Sequence, residues 1–409
     1  MTGRYEETAT SVADQVGDRV FDVVVVGGGV VGCATAWHLL ESAPGISVAV
    51  VEPDPSYRLA ASSTASGGVR QLFSRPENVQ LSQYTHEIID TWTQWAARYP
   101  DAADEVAPDL GWYANGYLFI ADPGHATQLR ADFDQQRSLG VDNLWLEPEE
   151  MSERFPYLSV DDLGPGVLSP HDGWLDPHAF LHGMRARARR LDARYVVDKV
   201  LDFDVRDRRI EAVRLESGGR LRGNAFVNVA GVWGPALSER LGLKLPVEPM
   251  RRFDHYVETP GDYSAYPFVK DPSGLAVRPE GGGLTAALVD FSHPSGYDLT
   301  IDQSYFEDVV WPALAHRFPD TDRLKIVSTW AGLYDQNRLD GNVIIDRWEA
   351  LDNYCFAAGF SGHGLMHAPA VGRALTELAL HGRYETIDLT RMGLARIISG
   401  TPYAELAIR

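Results

Sequence analysis

The stretch from Phe21 to Glu52 constrains the fold of this chain more than any other. The run Phe21-Asp22-Val23-Val24-Val25-Val26 is short and β-branched, as a central parallel strand covered on both faces requires. Gly27, Gly29 and Gly32 follow with the spacing Gly-x-Gly-x-x-Gly and open an alanine- and leucine-rich segment of helical character. Ile46 to Val51 forms a second β-branched run, closed by Glu52. Gly27 permits a tight turn, Gly29 leaves room for a pyrophosphate, and Gly32 lets helix and strand pack closely. Val30 and Val31 stand in the first helical turn, where free N–H groups and a partial positive charge meet phosphates. Glu52 lies about twenty residues past Gly32, where a carboxylate takes hydrogen bonds from an adenosine ribose. Strand, glycines, helix, strand and acid, in that order, specify a dinucleotide site.

At 409 residues the chain exceeds one typical core, so two domains are expected. The formal charge of -20 argues against general nucleic-acid or anionic-membrane binding, while leaving room for a local positive pocket. Cys33 and Cys355 sit in apolar runs and read as buried free thiols, so no disulfide framework or metal centre is expected. The first twenty residues lack an apolar core segment, so no secretory signal is expected. Residues 1–19 read as a flexible tail, and no run reaches transmembrane length. The cytoplasm is the expected location.

Beyond Glu52, the loop Ser62-Ser63-Thr64-Ala65-Ser66-Gly67-Gly68-Val69-Arg70 brings backbone donors and one fixed charge towards a ligand, with Ser62, Ser63, Gly68 and Val69 as candidate contacts. Asn78 to Tyr99 carries an apolar stripe at helical spacing through Leu81, Tyr84, Ile88, Ile89, Trp92 and Trp95. Asp176-Pro177 starts a helix running to about Leu191. Ala225 to Gly231 is a buried strand ending in small residues beside Trp233, suited to a return into the nucleotide-binding sheet. Val247 to Val289 alternates short strands and turns, which predicts a mainly antiparallel sheet. Leu299 to Phe318 is expected to be helical. Asn353 to Gly364 then repeats the opening physics: a buried strand, glycines, and the N-terminus of a long helix, suited to stabilising negative charge.

These segments resemble the D-amino-acid oxidase-type superfamily of FAD-dependent oxidoreductases, in the branch with sarcosine oxidases and dehydrogenases, dimethylglycine dehydrogenase and glycine oxidase. The resemblance spans about Val20 to Thr390. It rests on the glycine turn with Glu52, Ser62 to Arg70, Asn228 to Trp233, Trp330 to Tyr334, and Gly359 to Gly364 with its helix. It implies an α/β fold with a Rossmann-like, glutathione-reductase-type FAD-binding domain built from both ends of the chain, plus an α+β substrate domain. The expected FAD-binding segments are 20–90, 166–245 and 325–409, and the substrate-binding segments 91–165 and 246–324. The implied chemistry is oxidation of the C–N bond of an amino acid or N-alkyl amine, by hydride transfer to flavin N5 and imine hydrolysis. Ala230, Gly231, Trp233, Gly359, Gly362, His363, Gly364 and Leu365 match cofactor-contacting positions, and Arg70 and Tyr334 match positions beside the flavin ring.

Three departures refine the resemblance. Monomeric sarcosine oxidases place a second arginine at the position of Phe73 and a carboxylate-binding lysine at that of Met366, so a more apolar pocket is implied. Arg278 is then the first candidate for a substrate carboxylate, because its planar fork suits one. Those oxidases link flavin through a cysteine where Leu333 stands, so FAD is expected to be non-covalent. Their oxygen-activating lysine falls at Thr285, which leaves Lys270 and Arg278 open to that role and the acceptor open between O2 and a separate protein or quinone. His363 is expected to line the flavin site, His255 to border the substrate cavity or hydrogen-bond in the core, and Trp330 to wall the pocket. Two further readings stay open: an FAD-dependent oxidoreductase of 2-hydroxy acids, and a non-catalytic FAD-binding assembly factor. Oligomeric state is not legible.

Overall fold

The computed structural model describes residues 19–94 and 108–406, so the tail expected at the N-terminus, and Trp95 to Tyr99 of the apolar stripe, lie outside the described residues. Val20–Val26 is a central strand, paired in parallel with Val48–Glu52 on one side and Arg220–Asn228 on the other. Its β-branched side chains are buried from Val23 to Val26, as a strand covered on both faces demands. The sheet runs in the order Ile344–Arg347, Tyr354–Ala358, Arg220–Asn228, Val20–Val26, Val48–Glu52, Arg194–Val197. Arg209–Leu215 and Val200–Arg206 extend it as an antiparallel meander. Residues from both ends of the chain therefore share one sheet.

One face of this sheet is covered by the helices Val30–Ser42, Pro177–Arg190 and Gly364–His381. Val30–Ser42 is buried along almost its entire length because it packs on the sheet with Pro177–Arg190 and Gly364–His381 against it. The two approach so closely that a Cβ on Gly372 would fall 2.7 Å from the Ala34 carbonyl carbon. Each large side chain buried here contributes about 1.5–3 kcal/mol. The long helix stops at Gly382, which adopts the left-handed conformation at φ 73° that glycine takes without a Cβ clash.

The second sheet is mainly antiparallel, in the order Lys325–Asn337, Val247–Glu258, Gly283–Leu288, Leu275–Glu280, Phe268–Lys270, Tyr117–Ile120, Gly166–Ser169, Leu144–Leu146. The Phe268–Lys270 and Tyr117–Ile120 pair is its parallel step. Two strands sit elsewhere than the segment boundaries implied. Lys325–Asn337 pairs along its length with Val247–Glu258, and Gly166–Ser169 with Tyr117–Ile120, so both belong to this sheet. Their alternating partners, not their distance from the glycine motif, fix their sheet. The expected helix at Leu299 to Phe318 forms as Gln303–Tyr305, a π turn Phe306–Val310, and Trp311–Arg317. Pro312 lacks the N–H that a continuous α pattern would need there.

Candidate active site

A cavity of about 640 Å3 lies between the two sheets. At one end Gly27, at φ 100°, turns out of the first strand with the Val229–Ala230 backbone so close that a Cβ would lie 2.6 Å from the Val229 carbonyl oxygen. Gly32 likewise admits no side chain, because its Cβ would meet the Gly27 carbonyl. Gly27, Gly29, Val30 and Val31 line the cavity; Gly32 holds helix to turn from behind. Glu52 lies at the same end, accepting the N–H of Gly28 at 2.8 Å and of Asp54 at 3.0 Å. Its burial raises its pKa. Ser62 accepts the Val30 N–H at 3.3 Å, and Ala230, Gly231 and Trp233 close this end.

Two helix N-termini open on the cavity. Val30–Ser42 begins at Gly29 and Gly364–His381 at His363; neither is capped by the side chain of its own N-cap residue or holds an acidic residue in its first turn. Their partial positive charges are thus left for a ligand. Gly362, His363, Gly364, Leu365 and Met366 line this part. Beneath them the Asp335 carboxylate accepts the Gly359 N–H at 2.8 Å and pins the turn. Burial pushes Asp335 up to about 6. Gly359, at φ 78°, is off the wall and serves that turn.

Gly68 and Arg70 reach the wall from the loop beyond Glu52, while Ser63 and Val69 turn away from it. Arg70 is 3% exposed, donates to the Leu72 carbonyl at 2.6 Å, and places Nη2 3.2 Å from His363 Nε2. Its guanidinium carbon lies 4.0 Å from the Phe73 ring centre and 4.7 Å from that of Phe119. Tyr334 lines the wall beside Arg252, whose guanidinium carbon lies 4.7 Å from its ring.

Several expected site residues lie elsewhere. Phe73 is fully buried behind Arg70, between His363 and His367, and is no part of the wall. Trp330 donates to the Thr64 carbonyl at 3.2 Å and braces the loop from outside the cavity. Thr285 is buried off the wall, opposite Arg278 on the neighbouring strand. Arg278 itself is occupied by the Ser66 carbonyl at 2.8 Å, the Pro279 carbonyl at 3.0 Å and Glu280. His255 is a core residue: it is 0% exposed, bonded through Nδ1 to Thr329 at 2.9 Å, and packed on Phe306. Burial holds it at about 4, so it is neutral at pH 7.

The structure adds residues the sequence did not single out. Arg252 and Asp254 share one face of Val247–Glu258 by the two-residue period of a strand, and both line the cavity. Asp254 accepts the Ser66 hydroxyl at 2.8 Å, and burial raises it to about 6. Lys270 lines the wall with Phe268 by the same alternation; burial, then Arg70 and Arg252, lower it to about 7. Glu405 arrives from the C-terminal segment, accepting the Ser74 N–H at 2.5 Å and the Asn78 amide at 2.8 Å. Alternation around the core residues Phe253 and His255 was the signal for Arg252; nothing local marked Glu405. Neither cysteine touches the wall, and among the described residues no cluster of His, Cys, Asp or Glu is placed to hold a metal ion. No helix among the described residues is long and apolar enough to cross a membrane.

Two helix starts free of acidic residues, a glycine turn too tight for any side chain and a largely buried carboxylate at its end are what a bound FAD needs. The model of the family described as FAD dependent oxidoreductase matches residues 22–378, and the chain belongs to that family. It is accordingly an enzyme, with FAD as its non-covalent cofactor. The FAD-dependent oxidoreductase domain-containing protein 1 of Xenopus laevis is 32% identical over 94% of this chain and 84% of its own length. The mitochondrial sarcosine dehydrogenase of Homo sapiens is 25% identical over 93% of this chain, which spans 42% of that protein. Among solved structures, L-proline dehydrogenase from P. horikoshii superposes with a TM-score of 0.82 at 25% identity, covering 93% of this chain and 99% of that one.

Proposed function

We propose that the enzyme oxidises the C–N bond of an amine that carries a carboxylate, such as an amino acid or its N-alkyl derivative. The observation that carries this reading is a set of three cations on one cavity wall, Arg70 and Arg252 buried and Lys270 half-buried. Arg70, Arg252 and Lys270 all face the cavity, and among the described residues no carboxylate forms an ion pair with any of them. In a chain of net charge -20, such a concentration of unpaired positive charge calls for an anionic ligand.

FAD, when bound, supplies a two-electron acceptor. Its diphosphate is assigned to the first helix start at Gly29–Val31, its ribose to Glu52, and its ring to the space between Arg70 and the turn at Gly362–Leu365. Arg252, caged by Phe291 and Tyr334 with its guanidinium carbon 5.0 and 4.7 Å from the two rings, presents a planar fork to the substrate carboxylate. It takes the place assigned from sequence to Arg278. Met366 and Tyr334 close the pocket around the substrate's carbon atoms. The sarcosine and L-proline dehydrogenases among the relatives bear names of carboxylate-bearing secondary amines, which supports the same class.

The test is an anaerobic absorbance titration of the yellow holoprotein with primary and secondary amino acids, amines without a carboxylate, and 2-hydroxy acids. Bleaching confined to carboxylate-bearing amines, and weakened at least tenfold in binding by Arg252→Met, is the expected outcome. Bleaching by hydroxy acids alone would overturn the amine assignment. Admitting air to the bleached sample then separates O2 from another acceptor by the rate at which the yellow colour returns.

A further inference from the structure

An amine protonated at nitrogen cannot release a hydride from the adjoining carbon, because its lone pair is tied up in the N–H bond. A carboxylate-bearing amine reaches the site as a zwitterion at neutral pH, so a proton must leave nitrogen before oxidation. The wall offers several titratable groups. Asp335 is engaged by the Gly359 N–H, and Asp254 by the Ser66 hydroxyl beside Arg252 and Arg278. His363 turns Nε2 to the Arg70 guanidinium, and Tyr334 faces Arg252. Lys270 differs from all of these. Its side chain forms no hydrogen bond or ion pair among the described residues, although it stands on the wall beside the stacked rings of Phe268 and Tyr117, 4.4 Å apart.

Resting on the reading of the substrate as an amine with a carboxylate, we propose that Lys270 is the catalytic base that takes the proton from the substrate nitrogen. In this step the N–H bond of the substrate ammonium breaks, a bond forms to Lys270 Nζ, and the electron pair stays on the substrate nitrogen. With that electron pair free, the neighbouring C–H bond can give up hydride to the two-electron acceptor that FAD would supply when bound. Charge explains both halves of the proton transfer. With the carboxylate absent, the charged form of Lys270 is disfavoured by burial and by the two nearby guanidinium groups, so the amine is ready as a base near neutral pH. Phe119, which does not titrate, stands opposite it on the adjacent strand, with Tyr117 two residues back opposite Phe268, and Asp271, the next residue, engages Arg317 at 2.8 Å. Once the substrate carboxylate lies on Arg252, its negative charge offsets those cations and favours the ammonium form of Lys270. Binding the acid and accepting the proton are therefore coupled.

Acetate, which has the carboxylate and no amine, separates this coupling from turnover. Titrated into the holoprotein at pH 8 by calorimetry in buffers of different ionisation enthalpy, it is expected to bring net proton uptake in the wild type. Lys270→Met and Lys270→Arg should bind acetate with the flavin spectrum perturbed but without that uptake. Uptake that persists in both variants, acetate binding by the wild type with none, or no acetate binding at all would each overturn the proposal. Sarcosine gives the kinetic arm. Where it bleaches the wild type, Lys270→Arg should slow bleaching at pH 7 by at least a hundredfold, with recovery as pH rises and hydroxide takes over; equal rates would overturn the proposal. Failure of every amine to bleach the wild type would count against the amine reading, and the acetate result would still decide Lys270.

Discussion

Arg70 and His363 stand 293 positions apart in the chain, yet Nη2 of one lies 3.2 Å from Nε2 of the other. The contact joins the loop beyond Glu52 to the glycine turn at the start of the helix Gly364–His381, and both residues line the cavity. With the Leu72 carbonyl and the Phe73 ring it fixes the guanidinium without neutralising it.

Replacing Arg70 with Met removes that cation from the wall. FAD binding is expected to weaken about ten- to a hundredfold, the scale of a lost charge-assisted hydrogen bond. Fluorescence titration of the apoprotein measures it. An unchanged Kd would show that Arg70 only braces Phe73.

Glu52 ties the glycine turn to the second strand through the Gly28 N–H. Glu52→Ala leaves that donor unsatisfied and opens the end of the cavity, whereas Glu52→Gln keeps an acceptor. Retained FAD, read from the ratio of visible to ultraviolet absorbance, should fall markedly in the first variant and less in the second. Equal loss in both would make the charge, not the hydrogen bond, decisive.

Gly372→Ala places a methyl group 2.7 Å from both the Ala34 carbonyl carbon and the Thr35 nitrogen. The two helices that start at the cavity must then part. A loss of about 1–3 kcal/mol is expected, as for overpacking elsewhere. Thermal unfolding followed by circular dichroism should show a Tm several degrees lower, and an unchanged Tm would mean that the helices slide without strain.

His255 gives a pH signature. Burial lowers it to about 4 from an ordinary value of 6.5, so the folded state binds fewer protons than the unfolded one between those values. Its contribution is complete above pH 6.5 and is lost as pH falls towards 4, amounting to about 3 kcal/mol over that window. His255→Leu should therefore gain stability relative to wild type between pH 7 and 4.5 in urea unfolding, with kcat unaltered. A parallel pH dependence in the two proteins would contradict the core assignment, and a large fall in kcat would restore the catalytic one.

Much of the cofactor end was legible because its requirements are local. Gly27 needs a positive φ and Gly32 a bare backbone, and each shows in the spacing of a few residues. The substrate end was harder to read. Arg252 and Arg278 are both arginines on strands of one sheet, and both side chains are buried. What separates them is company: Arg278 meets the Ser66 carbonyl and pairs with Glu280, whereas Arg252 is held between two rings and forms no ion pair among the described residues. Those partners come from segments far away in sequence. Phe73 shows the same limit, since its neighbours His363 and His367 lie at the start of the helix Gly364–His381 and on its first turn.

The sequence alone determined the nucleotide-binding turn, the two helices that begin on glycine-rich loops, and the absence of a lysine at Met366 and of an arginine at Phe73. These follow from φ, period and residue type, which act within a turn or two of the chain. Only the tertiary structure brought Lys270 beside Arg70 and Arg252, moved Lys325–Asn337 into the second sheet, and set Glu405 against Ser74 and Asn78. Strand pairing and burial decide which side chains share a cavity, and charge within that cavity depends on groups that the chain order keeps apart.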